Sequence, residues 1–181
     1  MPGAEKCRPA THTEYMTKVV LATPIGGIGV HVDQGAVCGV SFGAVPGGEP
    51  TPEELQRGGP VLPTTLKQLR EYFAGERTSF DLPVQVRRGS EFERAVWAEI
   101  AAIPYGETMS YGAIARAVGE PGGAQAVGHA CNRNPLPIIV ACHRVIGSDG
   151  KLVGFGGGLD RKRWLLTLEA RVAIELSFSP G

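Results

Sequence analysis

Ile138-Ile139-Val140-Ala141-Cys142-His143-Arg144-Val145 runs three β-branched apolar residues into a small one, then a cysteine followed at once by histidine and arginine. The apolar run reads as a short buried strand with Cys142 at its end. A thiol there has its backbone fixed by packing, and His143 and Arg144 can supply positive potential beside it. Both effects favour the thiolate, which is the nucleophilic form. Taken alone, a Cys-His pair reads as easily as a small core hydrophobe with two surface neighbours. The sequence on either side decides between these readings.

On the upstream side, Asn134-Pro135-Leu136-Pro137 can be neither helix nor central strand and fixes the approach to Cys142. Before it, Ser90-Glu91-Phe92-Glu93 is a capping box. Phe92, Val96, Ile100 and Ile103 mark the buried face of the helix it opens, and Pro104-Tyr105-Gly106 ends that helix. Ser110 can cap a second helix, Tyr111 to Val118. A Gly119–Gly123 turn then leads into a third, Ala124 to Cys131. Two short helices joined by a tight glycine turn outline a helix-turn-helix, or simply a tightly packed helical hairpin. Ala124, Ala126, Gly128 and Ala130 would let the second helix approach a groove closely. On the downstream side, Gly147–Gly150 is a turn, and Gly154-Phe155-Gly156-Gly157-Gly158 lets backbone come close to a ligand. No GxxxxGK[ST] is present, so a nucleotide phosphate loop is not supported. A final helix is expected over Arg161–Ala170, with Trp164, Leu165 and Leu168 inward and Glu169 near its end.

The first half of the chain has a different texture. Met16–Ala22, Ile28–Val32 and Ala36–Phe42 are β-rich runs separated by turn residues, an antiparallel meander. Gly43 to Pro60 reads as a loop. Leu62, Leu66, Leu69 and Phe73 repeat at helical spacing up to Gly75, and Phe80–Val86 reads as a further strand or an extended connection. Arg87-Arg88-Gly89 looks like a joint. The expected organisation is a loose terminus over 1–14, an α+β structural unit over 15–88, a second unit carrying the chemistry over 89–172, and a tail over 173–181.

The chain has 181 residues, 43% apolar and 20% charged, with zero formal net charge, which suits a globular protein and excludes a polycation. Nucleic-acid binding would therefore need a local patch. Arg133, Arg144, Lys151, Arg161, Lys162 and Arg163 against Asp149 and Asp160 could form one, or could be an ordinary solvated face. The cysteines, Cys7, Cys38, Cys131 and Cys142, contain no CxxC, so neither a disulfide framework nor a zinc finger is indicated. A metal site from Cys7, His12, His31 and Cys38 matches no standard closed spacing. No signal peptide or membrane-spanning run is evident, and a reducing cytoplasm fits the composition.

The ordered motifs Pro104-Tyr-Gly-Glu-Thr, Ser110-Tyr111-Gly, Asn134-Pro-Leu-Pro137, Cys142-His143-Arg144-Val145 and Gly157-Gly158-Leu159…Trp164-Leu-Leu…Glu169 resemble the O6-alkylguanine-DNA alkyltransferases. The likeness is strong over residues 90–170 and weaker over 15–86. It implies an α+β protein with a small ribonuclease-H-like N-terminal domain and a C-terminal winged-helix/helix-turn-helix domain. The implied activity is that of a single-turnover methylated-DNA–protein-cysteine S-methyltransferase. Such a protein flips alkylguanine out of duplex DNA and is spent in the transfer, with O4-alkylthymine left open as a second substrate. By resemblance Cys142 is the acceptor, His143 takes its proton through a water and Glu169 orients His143. Asn134 is the hinge before the active-site segment, and Tyr111 pushes the target phosphate and donates to the guanine ring nitrogen. Arg144 is structural. The backbone of Val145 and of Gly156 and Gly157 reads the base, with Ala126, Arg133 and Lys162 as further DNA-side positions. No cofactor or metal is implied. The partner is double-stranded alkylated DNA, with no membrane, and the protein acts as a monomer whose cooperativity along DNA stays open.

Three positions depart from the family pattern. The intercalating arginine is Gln125, the proline before the cysteine is Ala141, and the loop tyrosine is Phe155. An alternative reading is a winged-helix protein that binds the lesion with little repair, although such relatives replace the cysteine that this chain keeps. A regulator would carry a further metal-cysteine domain, and a cysteine hydrolase or redox thiol would need an oxyanion motif or a resolving cysteine.

Overall fold

In the computed structural model, which describes residues 16–178, the three β-rich runs pair as an antiparallel meander, β1 (Thr17–Leu21), β2 (Ile28–Asp33) and β3 (Ala36–Phe42). The β2–β3 hairpin closes through Gln34 and Gly35, both at positive φ (48° and 76°), as a two-residue turn between twisted strands requires. The expected loose terminus over 1–14, and with it Cys7 and His12 of the weighed metal site, lies outside the described residues. Among the described residues no group of three or more His, Cys, Asp or Glu could hold a metal ion. No helix of the described residues is long and apolar enough to cross a membrane.

One expectation for the first half needs amending. The Gly43–Pro60 loop contains a helix, α1 (Pro52–Arg57), opened by a complete capping box between Thr51 and Glu54. The signature was present in Thr51-Pro52-Glu53-Glu54, hidden by the surrounding glycines and prolines. The 80–86 segment is an extended connection that meets β3 at one bridge, Val37 to Val84. Helix α2 (Val61–Ala74) stops at Gly75, whose φ of 79° is the left-handed geometry that closes a helix. Its apolar stripe covers the sheet, and an Arg87–Asp33 ion pair of 2.5 Å fastens the joint to the end of β2.

The second half follows its capping signals. Ser90 and Glu93 form the expected box at α3 (Glu91–Ala101), and Ser110 caps α4 (Tyr111–Ala117) through the Ala113 N–H. Helix α5 (Ala124–Asn132) packs on α3 and α4. Two short parallel strands, β4 (Met109–Ser110) and β5 (Val145–Ile146), hold the start of α4 against the segment after Cys142. Helix α6 runs over Leu159–Phe178, well past the expected end at Ala170. No glycine or proline interrupts it, and Val172 still has an apolar surface to bury.

The expected strand before Cys142 is absent. Residues 138–141 form an irregular turn, with Ile138 at φ 76°, and Cys142–Arg144 form one turn of 3-10 helix. Pro135 and Pro137 offer no N–H to a ladder, and the Val140 N–H bonds back to the Leu136 carbonyl at 2.7 Å. The β-branched run is apolar because it is buried, not because it is extended: Ile138 is 1% exposed.

Two apolar clusters result. One joins the sheet and α2 to Leu136, Ile138 and the Leu165, Leu168 and Val172 face of α6. The other joins α3, α4 and α5 to Cys142 and Val145. The Cys142 turn and α6 lie along the seam between them.

Candidate active site

The inward face of α6 carries Lys162, Leu165, Leu168, Glu169 and Val172. Lys162 and Glu169 are seven residues apart, two helical turns, so they project from one face about 10 Å apart along the axis. Each anchors one side of the Cys142 turn.

At Glu169 the carboxylate is 1% exposed and accepts five hydrogen bonds. Oε1 accepts from His143 Nε2 (2.7 Å), Tyr72 Oη (2.7 Å) and Arg144 Nη2 (3.0 Å). Oε2 accepts from Arg144 Nε (2.8 Å) and the Gly106 N–H (3.2 Å). Burial alone would raise this carboxyl, but His143 and Arg144 outweigh it and hold it down at about 2. Arg144 also donates to the Ile103 carbonyl at 2.6 Å, and its guanidinium lies 5.5 Å from the Tyr105 ring centre.

His143 is fully buried, and burial lowers it below its ordinary 6.5 against the opposing pull of Glu169, so the imidazole is neutral. Since Glu169 can only accept, Nε2 carries the proton, which makes Nδ1 the basic nitrogen. Among the described residues Nδ1 has no hydrogen-bond partner. Cys142 is 3% exposed, and burial raises its thiol above the ordinary value, opposed by a hydrogen bond from Asn134 and by the Lys162 charge. The expectation of a standing thiolate supported by His143 and Arg144 is therefore corrected. Arg144 is spent on Glu169, His143 is neutral, and the nearby cation is Lys162. A thiolate at Cys142 would have to be generated by proton removal.

Asn134 holds the irregular segment in place of a ladder, donating from Nδ2 to the Val140 carbonyl (2.8 Å) and accepting from the Leu136 N–H (3.0 Å). At the other end of the α6 face the Lys162 ammonium is enclosed by four oxygens, those of Val145 (2.5 Å), Tyr111 Oη (3.1 Å), Val153 (3.2 Å) and Gly154 (3.3 Å). Tyr111 donates to the Val153 carbonyl at 2.7 Å. Burial and the neighbouring Cys131 and Cys142 thiols push it up to about 12, so it keeps its proton. One ammonium thus ties α4, β5 and the glycine loop together.

The other expected positions surround this centre. Gln125 and Ala126 are exposed on α5. A 460 Å³ groove runs between α5 and the glycine loop, lined by Tyr111, Gln125, Gly128, Asn132, Val153 and Gly154 among others. Phe155 is half-buried with its ring 5.4 Å from that of Phe42, and a side chain at Gly157 would strike both rings within 3 Å. Arg161 pins the loop through the Gly157 and Ile25 carbonyls. Gly156 is exposed. Arg133 lies apart from the centre, paired with Glu93 at 2.7 Å beside a larger, 770 Å³ cavity at the domain joint that none of the proposed catalytic residues lines.

The sequence reading missed Tyr72, Tyr105, the Gly106 N–H and the Ile103 carbonyl. Tyr72 lies beside Leu69 and Phe73 on the buried face of α2, and a hydroxyl on that face was the available signal. Backbone groups leave no mark in a sequence.

Comparison with known proteins bears on the same residues. The family model described as the 6-O-methylguanine DNA methyltransferase ribonuclease-like domain matches residues 16–86, and the one described as its DNA binding domain matches 91–171. A methylated-DNA–protein-cysteine methyltransferase of Mycolicibacterium paratuberculosis is 59% identical over 106 residues, 59% of this chain and 64% of that relative, so the match spans just under two thirds of the relative's length. A crystal structure of Mycobacterium tuberculosis O6-methylguanine methyltransferase superposes with a TM-score of 0.73 at 39% identity, covering 92% of this chain and 96% of that one. The structure of Mycobacterium tuberculosis OGT in complex with DNA gives 0.73 and 40%, covering 86% and 93%.

Proposed function

Because the chain belongs to the 6-O-methylguanine DNA methyltransferase family, we propose that it repairs alkylated DNA by moving the alkyl group from guanine O6 onto its own Cys142, once per molecule. The observation that carries this reading is a buried thiol followed by a neutral imidazole whose Nε2–H is committed to Glu169 and whose Nδ1 is free to take a proton. In the proposed step the Cys142 proton passes, by way of a water, to Nδ1. Sulfur attacks the alkyl carbon in line, the carbon–O6 bond breaks, and the electron pair stays on the base. Tyr111 keeps its proton and, on turning it from the Val153 carbonyl, would donate to the guanine ring nitrogen. A thioether has no good leaving group, and nothing in the site activates one, which accounts for a single turnover.

Cys142 is too buried to reach a base stacked in a duplex, so the partner is double-stranded DNA with the lesion nucleotide flipped out. Exposed Gln125 would fill the vacated stack without a cation, with Ala126 allowing close approach. The loop backbone at Gly156 and Gly157, the Phe155 ring and the β5 edge at Val145 would frame the base. The protein is proposed to act as a cytoplasmic monomer without a cofactor.

Intact-mass measurement after incubation with a duplex carrying one O6-methylguanine tests the reading. One methylene unit should be gained on Cys142, at one equivalent and no more. Cys142→Ala should gain nothing while still binding the duplex. Clearance of the lesion by that variant would overturn the nucleophile assignment. Binding without transfer by the unaltered protein would favour lesion recognition without repair.

A further inference from the structure

Among the described residues, the N-terminal unit reaches the proton relay through one hydroxyl, that of Tyr72. Tyr72 sits on the inward stripe of α2, fully buried, with its ring against Phe73, Phe80 and Tyr105 at centroid distances of 5.5, 5.4 and 6.1 Å. Phenylalanine would meet those ring contacts equally well. The hydroxyl is what needs explaining, because burying one is costly unless it is hydrogen-bonded. It lies 2.7 Å from Glu169 Oε1 and 3.4 Å from His143 Nε2, at the junction where carboxylate and imidazole meet.

We infer that Tyr72 is a positioning residue for the relay, its hydroxyl donating to Glu169 Oε1 and thereby setting how strongly that oxygen supports a protonated His143. This rests on the reading of His143 as the base. The direction of the hydrogen bond is fixed, since an ionised carboxylate only accepts. Burial and the Glu169 charge also hold the Tyr72 phenol well above its ordinary value, so it stays a donor at any working pH. A donor on Oε1 disperses the charge that His143 would otherwise feel. Removing it concentrates charge on Oε1 and raises the proton affinity of the imidazole.

The other ionisable groups around this junction are Tyr105 on the segment after α3, Arg144 on the 3-10 turn, and Lys162 and Glu169 on α6, with Arg171 acting on Tyr105. Of these groups it is Glu169 that the Tyr72 hydroxyl bonds, so a change at position 72 reaches His143 through that carboxylate.

Two substitutions bracket the effect. Tyr72→Phe keeps the ring packing and removes the donor. Replacing Tyr72 with 3-fluorotyrosine keeps the hydroxyl and makes it a stronger donor. The readouts are the methyl-transfer rate as a function of pH and the His143 ring-nitrogen titration by NMR. For Tyr72→Phe the acid limb of the rate profile should move up by about half a unit or more. For fluorotyrosine it should move down, with duplex affinity unchanged in both. Profiles that coincide with that of the unaltered protein, whatever happens to Tm, would overturn the proposal and leave Tyr72 a packing residue. If the unaltered protein transfers no methyl group, the transfer reading fails on its own. The NMR titration then decides the Tyr72 role, opposite shifts supporting it and coincident curves rejecting it.

Discussion

At the scale of single residues, the site economises on charge. One carboxylate, Glu169, orients the imidazole, neutralises Arg144 and caps the Gly106 N–H. Breaking such a buried pair by removing one partner costs about 3–5 kcal/mol, because the other charge is left uncompensated. The same burial makes stability depend on pH in a definite sense. His143 is lowered from 6.5 and Glu169 from 4.5 to about 2, so the folded chain binds both protons more weakly than the unfolded chain does. Their stabilisation is whole above about 6.5. It falls first as the unfolded-state histidine takes its proton, and again between 4.5 and about 2 as the unfolded-state Glu169 takes one. Tm measured against pH should therefore decline below about 6.5, and more gently in Glu169→Gln, where the lower step is gone. A flat Tm across that window would show that the relay is not buried as described.

At the scale of elements, α5 and the glycine loop form the two walls of the groove, and they differ in how they are held. The loop is fastened by the Lys162 ammonium and by Arg161, whereas α5 presents small residues and Gln125 with no lysine or arginine along Ala124–Asn132. Contact from this helix would therefore come from hydrogen bonds and close approach, with little counterion release. Gln125→Arg should tighten binding to damaged duplex and steepen the salt dependence by about one phosphate contact. Unchanged affinity and slope in a salt titration would mean that this position does not meet DNA. Element by element, the helices announced themselves through Ser90, Ser110 and Gly75, because caps are local chemistry. The segment before Cys142 misled because β-branched residues mark burial as much as extension. Its true geometry depends on Asn134 and two prolines acting together.

At the scale of the whole molecule, the two halves share one core. Leu165, Leu168 and Val172 of α6, with Leu136 and Ile138, pack among the side chains of the meander and α2. Separating the halves would expose these side chains at about 1.5–3 kcal/mol each. Calorimetry should therefore show a single unfolding transition; two resolved transitions would mean that the shared core contributes little. This is also where the sequence reached its limit. By itself it determined the meander, the capped helices and the outline of two short helices joined by a glycine turn, and it singled out Cys142, His143 and Glu169 as the candidate chemical centre. Turn geometry, capping and apolar spacing are local, and the motif order carried the family resemblance. Only the tertiary structure decided that Arg144 serves Glu169 and not the thiol, that Lys162 is the cation near Cys142, and that Tyr72 touches the relay from 97 residues away along the chain. Those outcomes depend on which buried charges and donors end up within about 3 Å of one another. No spacing along a chain encodes that, because it is set by how α2 and α6 pack against the same turn.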